Sequence, residues 1–245
     1  MSKTIAVTGA TGAQGGGVVN VMKKTPGWKV RALTRNVESD AAEKLAAERV
    51  EVVSASFDDE SSLAAAFEAS AKKTAEKLLK GELTVPHMDY KAKVDERIKS
   101  ELSNLAKKTT YLLFGYYPQN LLLFPMLTPF EYSGTGYHIQ VLPTDPDAKI
   151  LLSGDMNVNP GIWVRQCLAS APKAFGRYAN VALEKWTFKQ MVDVWSEVTG
   201  KKGHFGERCD PWAETKEHIS PEELGIDTSE VIGFQGTIEG IKHLF

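Results

Sequence analysis

The sequence predicts an α/β fold, a doubly wound parallel sheet with a small C-terminal α/β lobe. The first observation is that β-branched and apolar runs at 3–8, 28–34 and 50–53 alternate with helical segments. Two β-α-β units within about sixty residues are typical of a parallel sheet with helices on its faces. The second observation is a glycine-rich turn between the first strand and the first helix. The apolar positions of that helix are Val18, Val19, Val21 and Met22.

Composition limits the classes of function. The 245 residues are 42% hydrophobic and 24% charged, which is typical of a globular protein. The formal net charge of −2 argues against a surface dedicated to nucleic acid. Two cysteines and no recognisable signal peptide predict a cytoplasmic or nuclear protein without a disulfide framework. The most apolar stretch, 111–127, is interrupted by glycine, proline and amide residues, so we expect no membrane span.

Later elements are predicted from apolar runs and capping signals. Thr187 and Gln190 have the spacing of a capping box, and Gly200 fits the end of the helix that they begin. Ser220 begins another helix, with Pro221 in its first turn. The remaining predictions are helices at 41–48, 61–67 and 162–171, strands at 109–114, 137–142 and 149–152, and a loop at 115–120.

The segment from Glu68 to Lys108 is polar and helix-prone, where a doubly wound fold should have a fourth strand. No convincing strand is found there. We expect one domain over 1–245, in which 1–120 form mostly the dinucleotide-binding sheet core and 121–245 mostly a small substrate-binding lobe.

The glycine turn lies where a dinucleotide needs it. Gly9, Gly12 and Gly15 follow a strand and open a helix, so backbone N–H groups and the positive helix end face a pyrophosphate. Glycine lets the backbone approach the phosphates without a Cβ. The alternative is a glycine-rich turn without a ligand.

The end of the second strand indicates which dinucleotide is bound. NAD requires an acid there for the ribose 2′-hydroxyl, but the residue is Arg35. A guanidinium suits a 2′-phosphate, so NADP is favoured over NAD; the alternative is a solvated arginine. Phe57 and Asp58 follow the third strand, where an adenine is usually flanked, although an acidic surface loop also explains them.

Together, four segments resemble the NmrA-like branch of the atypical short-chain dehydrogenases, and are closest to its fungal members. The segments are 8–16, 33–36, 86–91 and 115–120, and the resemblance covers nearly the whole chain. It implies a Rossmann domain that binds NADP(H). The residues implied to hold the cofactor are Gly9, Ala10, Thr11, Gly12, Ala13, Gln14, Gly15, Arg35, Asn36, Ser39, Phe57, Asp58, Lys91, Tyr117, Pro118, Gln119 and Asn120.

This sequence departs from the family after about residue 70. A fourth strand, a helix and a fifth strand, about fifty residues judged from β-α-β unit lengths, are missing there. We expect an exposed sheet edge, a rearranged domain or a weakened cofactor site. A splice form, a gene-model error and residues absent from the given sequence all remain open as the cause.

Short-chain dehydrogenases use a tyrosine four residues before a lysine as their acid. Here those positions are His87 and Lys91, and Tyr90 belongs to another helix face. Lys91 can bind the nicotinamide ribose. His87 can donate a proton near neutral pH, although a lone histidine in a loop is more often structural.

Other candidates carry weaker signals. His204, Cys167 and Cys209 lack paired spacing, so no metal site is expected. Tyr116, Tyr117 and Phe124 either wall a substrate cavity or pack in the core.

The first hypothesis is an NADP(H)-dependent reductase that transfers hydride to a small conjugated or carbonyl-bearing substrate, with Lys91 and His87 as catalytic residues. The second is a catalytically silent NADP(H) sensor that acts through a regulatory protein partner, such as a transcription factor. The third is a truncated product that binds neither ligand well. The missing tyrosine and strands favour the second hypothesis, and family likeness supports the first two.

Overall fold

The computed structural model describes residues 2–55, 86–206 and 221–244. The predicted helix at 61–67 and the residues Phe57, Asp58 and Cys209 lie outside these ranges. The helices and strands, in chain order, are β1 Lys3–Thr8, α1 Ala13–Met22, β2 Trp28–Thr34, α2 Asp40–Ala47, β3 Glu51–Ser54, α3 Pro86–Glu101, α4 Ser103–Ala106, β4 Tyr111–Phe114, α5 Asn120–Leu123, β5 Phe130–Tyr132, β6 Tyr137–Val141, β7 Lys149–Leu152, α6 Asn159–Ala169, α7 Ala171–Ala174, β8 Tyr178–Val181, β9 Glu184–Thr187, α8 Phe188–Thr199, β10 Lys202–Gly206, α9 Pro221–Leu224 and α10 Phe234–Ile241.

The chain forms two compact units. The described residues of the first unit fall within Met1–Leu113, Pro160–Asn180 and His218–Ile226. Those of the second fall within Phe114–Asn159, Val181–Glu217 and Asp227–Phe245. Each unit therefore combines segments that are distant in sequence.

The first unit contains the predicted parallel sheet. Its three strands lie in the order β1-β2-β3, with Lys3 opposite Trp28 and Arg31 opposite Glu51. The alternating burial of β1 points Ile5 and Val7 into a core shared with α1. The α/β fold with parallel strands is confirmed.

Helix α1 is held close to α6 by small residues. A Cβ added to Gly161 of α6 would lie 2.5 Å from the carbonyl oxygen of Gly17 and 2.5 Å from Val21 Cβ. Val19 and Met22 of α1 are fully buried beside Val164 of α6. The residues that follow the glycine turn are therefore part of a close-packed core.

Among the described residues, the first sheet ends at β1. Within the part of the chain that the structure describes, β1 pairs with β2 and with no other strand. Strand β4 instead pairs with β8, and the N–H of Tyr111 donates to the carbonyl oxygen of Arg177 at 2.9 Å. Leu112 of β4 still packs against the core of the first sheet. The prediction that the middle strands are missing concerns the segment after about residue 70, which lies outside the described residues up to residue 85.

The second unit contains two smaller sheets. In one, β6 lies between a parallel partner, β10, and an antiparallel partner, β5. In the other, β7 and β9 pair antiparallel. Sequence analysis located β6 and β7 but missed β5, β9 and β10, which are only three to five residues long.

Helix α8 connects these sheets to the core of the second unit. It begins with the predicted capping box between Thr187 and Gln190, and ends at Gly200, whose φ of 73° lies in the left-handed region. Its buried residues Met191 and Trp195 pack in a core with Leu152 and with Phe234 of the last helix. No helix of the described residues is both long enough and apolar enough to cross a membrane.

Candidate functional site

The glycine turn connects β1 to α1 within the first unit. Gly9 has a φ of 60°, a left-handed conformation that favours glycine. The N–H of Gly12 donates to the carbonyl oxygen of Gly9 at 2.8 Å, which closes the turn. The turn then passes directly into the helix.

Gly15 is required by space rather than by its own φ. A Cβ at this position would lie 2.2 Å from the carbonyl oxygen of Gly9. At the neighbouring Gly16, the nearest atom to such a Cβ would be 3.6 Å away, an ordinary contact. The close approach of α1 to the turn thus depends on one particular glycine.

The start of α1 has the features of an anion site. Gly12 is the N-cap residue, its backbone is extended, and no side chain caps the helix. The first N–H groups of a helix have no acceptor within it, and the helix dipole is positive at that end. Ala13 and Gln14 begin the helix at this point. The geometry fits a phosphate, whose oxygens can accept hydrogen bonds from the helix start.

Arg35 follows β2, and its side chain is exposed. The loop that carries it is built by its neighbours. The Asn36 side chain accepts a hydrogen bond from the N–H of Glu38 at 2.9 Å, and the Ser39 hydroxyl donates to the carbonyl oxygen of Asn36 at 3.0 Å. The Ser39 hydroxyl oxygen also caps α2 by accepting from the N–H of Ala42. Asn36 and Ser39 therefore fix the loop, and Arg35 is exposed on it.

Lys91 lies in the second turn of α3, and its side chain is exposed. His87 belongs to the same helix rather than to a loop, since α3 begins at Pro86. The loop assignment of His87 is therefore wrong. The two residues are four positions apart, so they occupy one face of the helix.

The segment 117–120 is part of the second unit, so it and the glycine turn belong to different units. The Gln119 side chain is only 5% exposed, and its amide donates to Asp155 at 2.6 Å and accepts from the N–H of Met156 at 3.3 Å. The N–H of Asn120 donates to the carbonyl oxygen of Tyr117 at 2.9 Å. Pro118, between them, is also buried. The Gln119 amide is thus already used to hold this loop against Asp155.

A polar segment after β7 supports this loop, and sequence analysis missed it. The Ser153 hydroxyl accepts a hydrogen bond from the N–H of Gly115 at 2.6 Å. The Asn159 amide bonds at 2.9 Å to the carbonyl oxygens of Ser153 and Ile232. The available signal was the polar run of serine, aspartate and asparagine that directly follows a strand.

The aromatic candidates divide between core and surface. Tyr116 packs edge to face against Phe188, with ring centres 5.6 Å apart. Burial raises the pKa of Tyr116 far above its ordinary value. Tyr117 stacks on Phe114, whereas Phe124 is half exposed. Tyr116 therefore packs in the core of the second unit, which is one of the two interpretations given for it above.

The described part of the chain contains no cluster of candidate metal ligands. Among residues 2–55, 86–206 and 221–244, no three His, Cys, Asp or Glu side chains form a group that could hold a metal ion. Cys167 is buried in α6, whereas the side chain of His204 is exposed on β10.

Behind Lys91, α3 carries a buried polar cluster. Tyr178 donates a hydrogen bond to the Asp95 carboxylate, and its ring stacks on Tyr111 with centres 4.7 Å apart. Burial, and then the negative charge of Asp95, raise the pKa of Tyr111 to about 12. Sequence analysis did not identify this cluster, because its members are up to 83 positions apart.

A strand, a glycine turn closed by the Gly12–Gly9 hydrogen bond and a helix that begins at the turn are typical of α/β proteins of the dinucleotide-binding type. The model of the NmrA-like family matches residues 1–75 and 70–240, so the chain belongs to that family. The two matched segments meet at residues 70–75, where the sequence predicts the missing strands.

Fungal relatives match part of the chain. The NmrA-like family domain-containing oxidoreductase hkm9 of Aspergillus hancockii is 48% identical over 69 residues, or 28% of this chain. The oxidoreductase FrzB of Cladobotryum sp, with the same family designation, is 46% identical over 66 residues, or 26% of this chain. These matches span only 21% and 20% of the relatives' own lengths.

Solved structures share the fold. A structure of NmrA, a negative transcriptional regulator, has a TM-score of 0.69 at 18% identity and covers 100% of this chain and 83% of its own. NmrA was also solved in complex with NADP and in complex with NAD, at TM-scores of 0.66 and 0.65. A triphenylmethane reductase of Citrobacter sp. has a TM-score of 0.53 at 21% identity, with coverage of 85% and 79%.

The raised pKa of Tyr111 predicts a loss of stability at alkaline pH. A tyrosine in the unfolded chain releases its proton near pH 10, but the folded chain keeps it until about pH 12. The unfolded state is therefore favoured as the pH rises through this window. Tyr111→Phe should make the fall in unfolding free energy shallower between about pH 10 and about pH 12, measured by urea titration. Equal slopes for both proteins would contradict the assignment.

Proposed function

We propose that the chain is an NADP(H)-dependent oxidoreductase that reduces a small conjugated or carbonyl-bearing substrate. The observation that carries the proposal is the close contact at Gly15, which leaves no room for a Cβ and brings the start of α1 against the turn. This cradle fits a pyrophosphate. The relatives named as oxidoreductases support the same class of activity.

Each proposed residue has a separate task. Backbone N–H groups of Gly9 to Gly15 hold the pyrophosphate, and Arg35 pairs with the 2′-phosphate. Lys91 donates hydrogen bonds to the nicotinamide ribose. The family resemblance also proposes the loop 117–120, and Phe57 and Asp58 outside the described residues, as residues that contact the cofactor.

When bound, NADPH supplies a hydride to an electrophilic carbon of the substrate. The atom at the other end of the reduced double bond must then accept a proton. His87 is the proposed donor, because it shares a helix face with Lys91 and an imidazole can be protonated near neutral pH. One helix, α3, thus carries both the proposed proton donor and the residue that orients the nicotinamide ribose.

A second candidate is a catalytically silent sensor that binds a regulatory protein according to its NADP(H) state. The specific observation in its favour is the histidine at the position where short-chain dehydrogenases have their tyrosine. The similarity in fold to NmrA, a negative transcriptional regulator, supports it too. Nucleotide binding without hydride transfer to any acceptor would favour this candidate.

Calorimetric titration with NADP tests the cofactor site. The wild-type chain should bind NADP, and Gly15→Ala should abolish binding, because its Cβ would collide with the carbonyl of Gly9. Gly16→Ala is the matched control and should bind as the wild type does, since its Cβ meets nothing closer than 3.6 Å. A thermal melt confirms that each protein is folded. A folded wild-type chain that binds no nucleotide would overturn the proposal.

Arg35→Asp tests the preference for NADP. It should weaken NADP binding by at least about tenfold, since a charge-assisted pair with the 2′-phosphate becomes a repulsion, and should weaken NAD binding much less. Arg31→Ala is the control, because Arg31 is on the same strand and pairs with Glu51 at 2.9 Å. Equal losses for NADP and NAD would refute the 2′-phosphate assignment.

Lys91→Ala tests the oxidoreductase. Oxidation of NADPH should fall by about 100-fold or more with any acceptor that the wild-type chain reduces, because the nicotinamide ribose loses its positioning group. Lys93→Ala, an exposed lysine two positions along the same helix, should keep its rate. Unchanged turnover in Lys91→Ala would remove Lys91 from the mechanism.

A further inference from the structure

A buried carboxylate anchors α3 within the first unit. Asp95 is only 6% exposed, and its carboxylate accepts a hydrogen bond from the hydroxyl of Tyr178. The Tyr178 ring is itself fixed by stacking on Tyr111 of β4 at an interplanar angle of 22°. Helix α3 and strand β8 are thus joined by a directional bond.

Lys99 balances the charge of this carboxylate. Its ammonium lies 3.2 Å from Asp95 Oδ2 and donates a hydrogen bond to the Tyr178 hydroxyl. It also lies 4.4 Å from the centre of the Tyr178 ring, which adds a cation–π contact. A buried carboxylate needs such partners, because an unpaired one is strongly disfavoured.

The anchor is one helical turn from Lys91. Residues four positions apart occupy one helix face, so Lys91 and Asp95 are successive members of the same row. Ala92 and Ile98 of α3 are also buried. Apolar contacts are non-directional, so they fix the rotation of a helix about its axis less strictly than a hydrogen bond does. The direction of the Lys91 side chain therefore depends on where Asp95 is held.

We infer that Asp95 and Tyr178 are positioning residues, which orient the turn of α3 that presents Lys91 to the cofactor. The inference rests on the proposed function, in which Lys91 binds the nicotinamide ribose. It gives a role to Tyr178, which belongs neither to the glycine turn nor to the pair of His87 and Lys91. This tyrosine acts through the helix rather than on the substrate.

A double-mutant cycle on NADPH affinity tests the inference. Tyr178→Phe removes the hydroxyl and keeps the ring, and should raise the NADPH dissociation constant about fivefold to tenfold. In a Lys91→Ala background the same change should alter the dissociation constant by less than about twofold, because the effect passes through Lys91. Tyr137→Phe is the matched control, since it removes the hydroxyl of an exposed tyrosine that belongs to the second unit.

The outcomes separate positioning from general stabilisation. Equal effects of Tyr178→Phe with and without Lys91, or an unchanged dissociation constant, would overturn the inference even if the melting temperature falls. A wild-type chain that binds no NADPH would overturn the proposed function.

Hydrogen exchange in the absence of nucleotide then still tests the anchor. Amides 88–95 should exchange faster in Tyr178→Phe than in Tyr137→Phe. Equal exchange in the two variants would show that Tyr178 does not fix this turn.

Discussion

The contact between Gly15 and the carbonyl of Gly9 is the constraint on which the first unit depends. Helix α1 can leave β1 at this angle only because no Cβ lies between them. The same path buries Val19 and Met22 against the sheet and brings Gly17 against Gly161 of α6. Backbone geometry at one turn therefore sets both the core of the unit and the open helix start.

The described part of the first sheet ends at β1, so other contacts support the candidate site there. A strand in the centre of a parallel sheet is normally held from both sides, but β1 has a described partner only in β2. Strand β4 compensates by pairing with β8 and by packing Leu112 on the shared core. The hydrogen bond between Asp95 and Tyr178 then connects α3 to the pair β4 and β8. In the described structure, a polar side-chain contact therefore joins elements that no sheet hydrogen bonds join.

Sequence analysis located the elements with strong local signals. The first three strands, both early helices and the capping box at Thr187 agree with the structure, because hydrophobic periodicity and capping act over a few residues. It missed short strands such as Lys202–Gly206, whose residues become a strand only beside a partner. It also placed His87 in a loop, because the polar, helix-prone segment that contains it gives no clear sign of where the 16-residue helix begins.

For this protein, the sequence by itself determined the glycine turn, the arginine after β2, the family resemblance and the position of the missing strands. All of these are properties of consecutive residues. Only the tertiary structure decided that Gln119 is held by Asp155, that Ser153 accepts a hydrogen bond from Gly115 and that Asp95 is buried against Tyr178. Contacts between residues distant in the chain leave no local pattern, because they arise from how the elements pack and not from the spacing of residues within them.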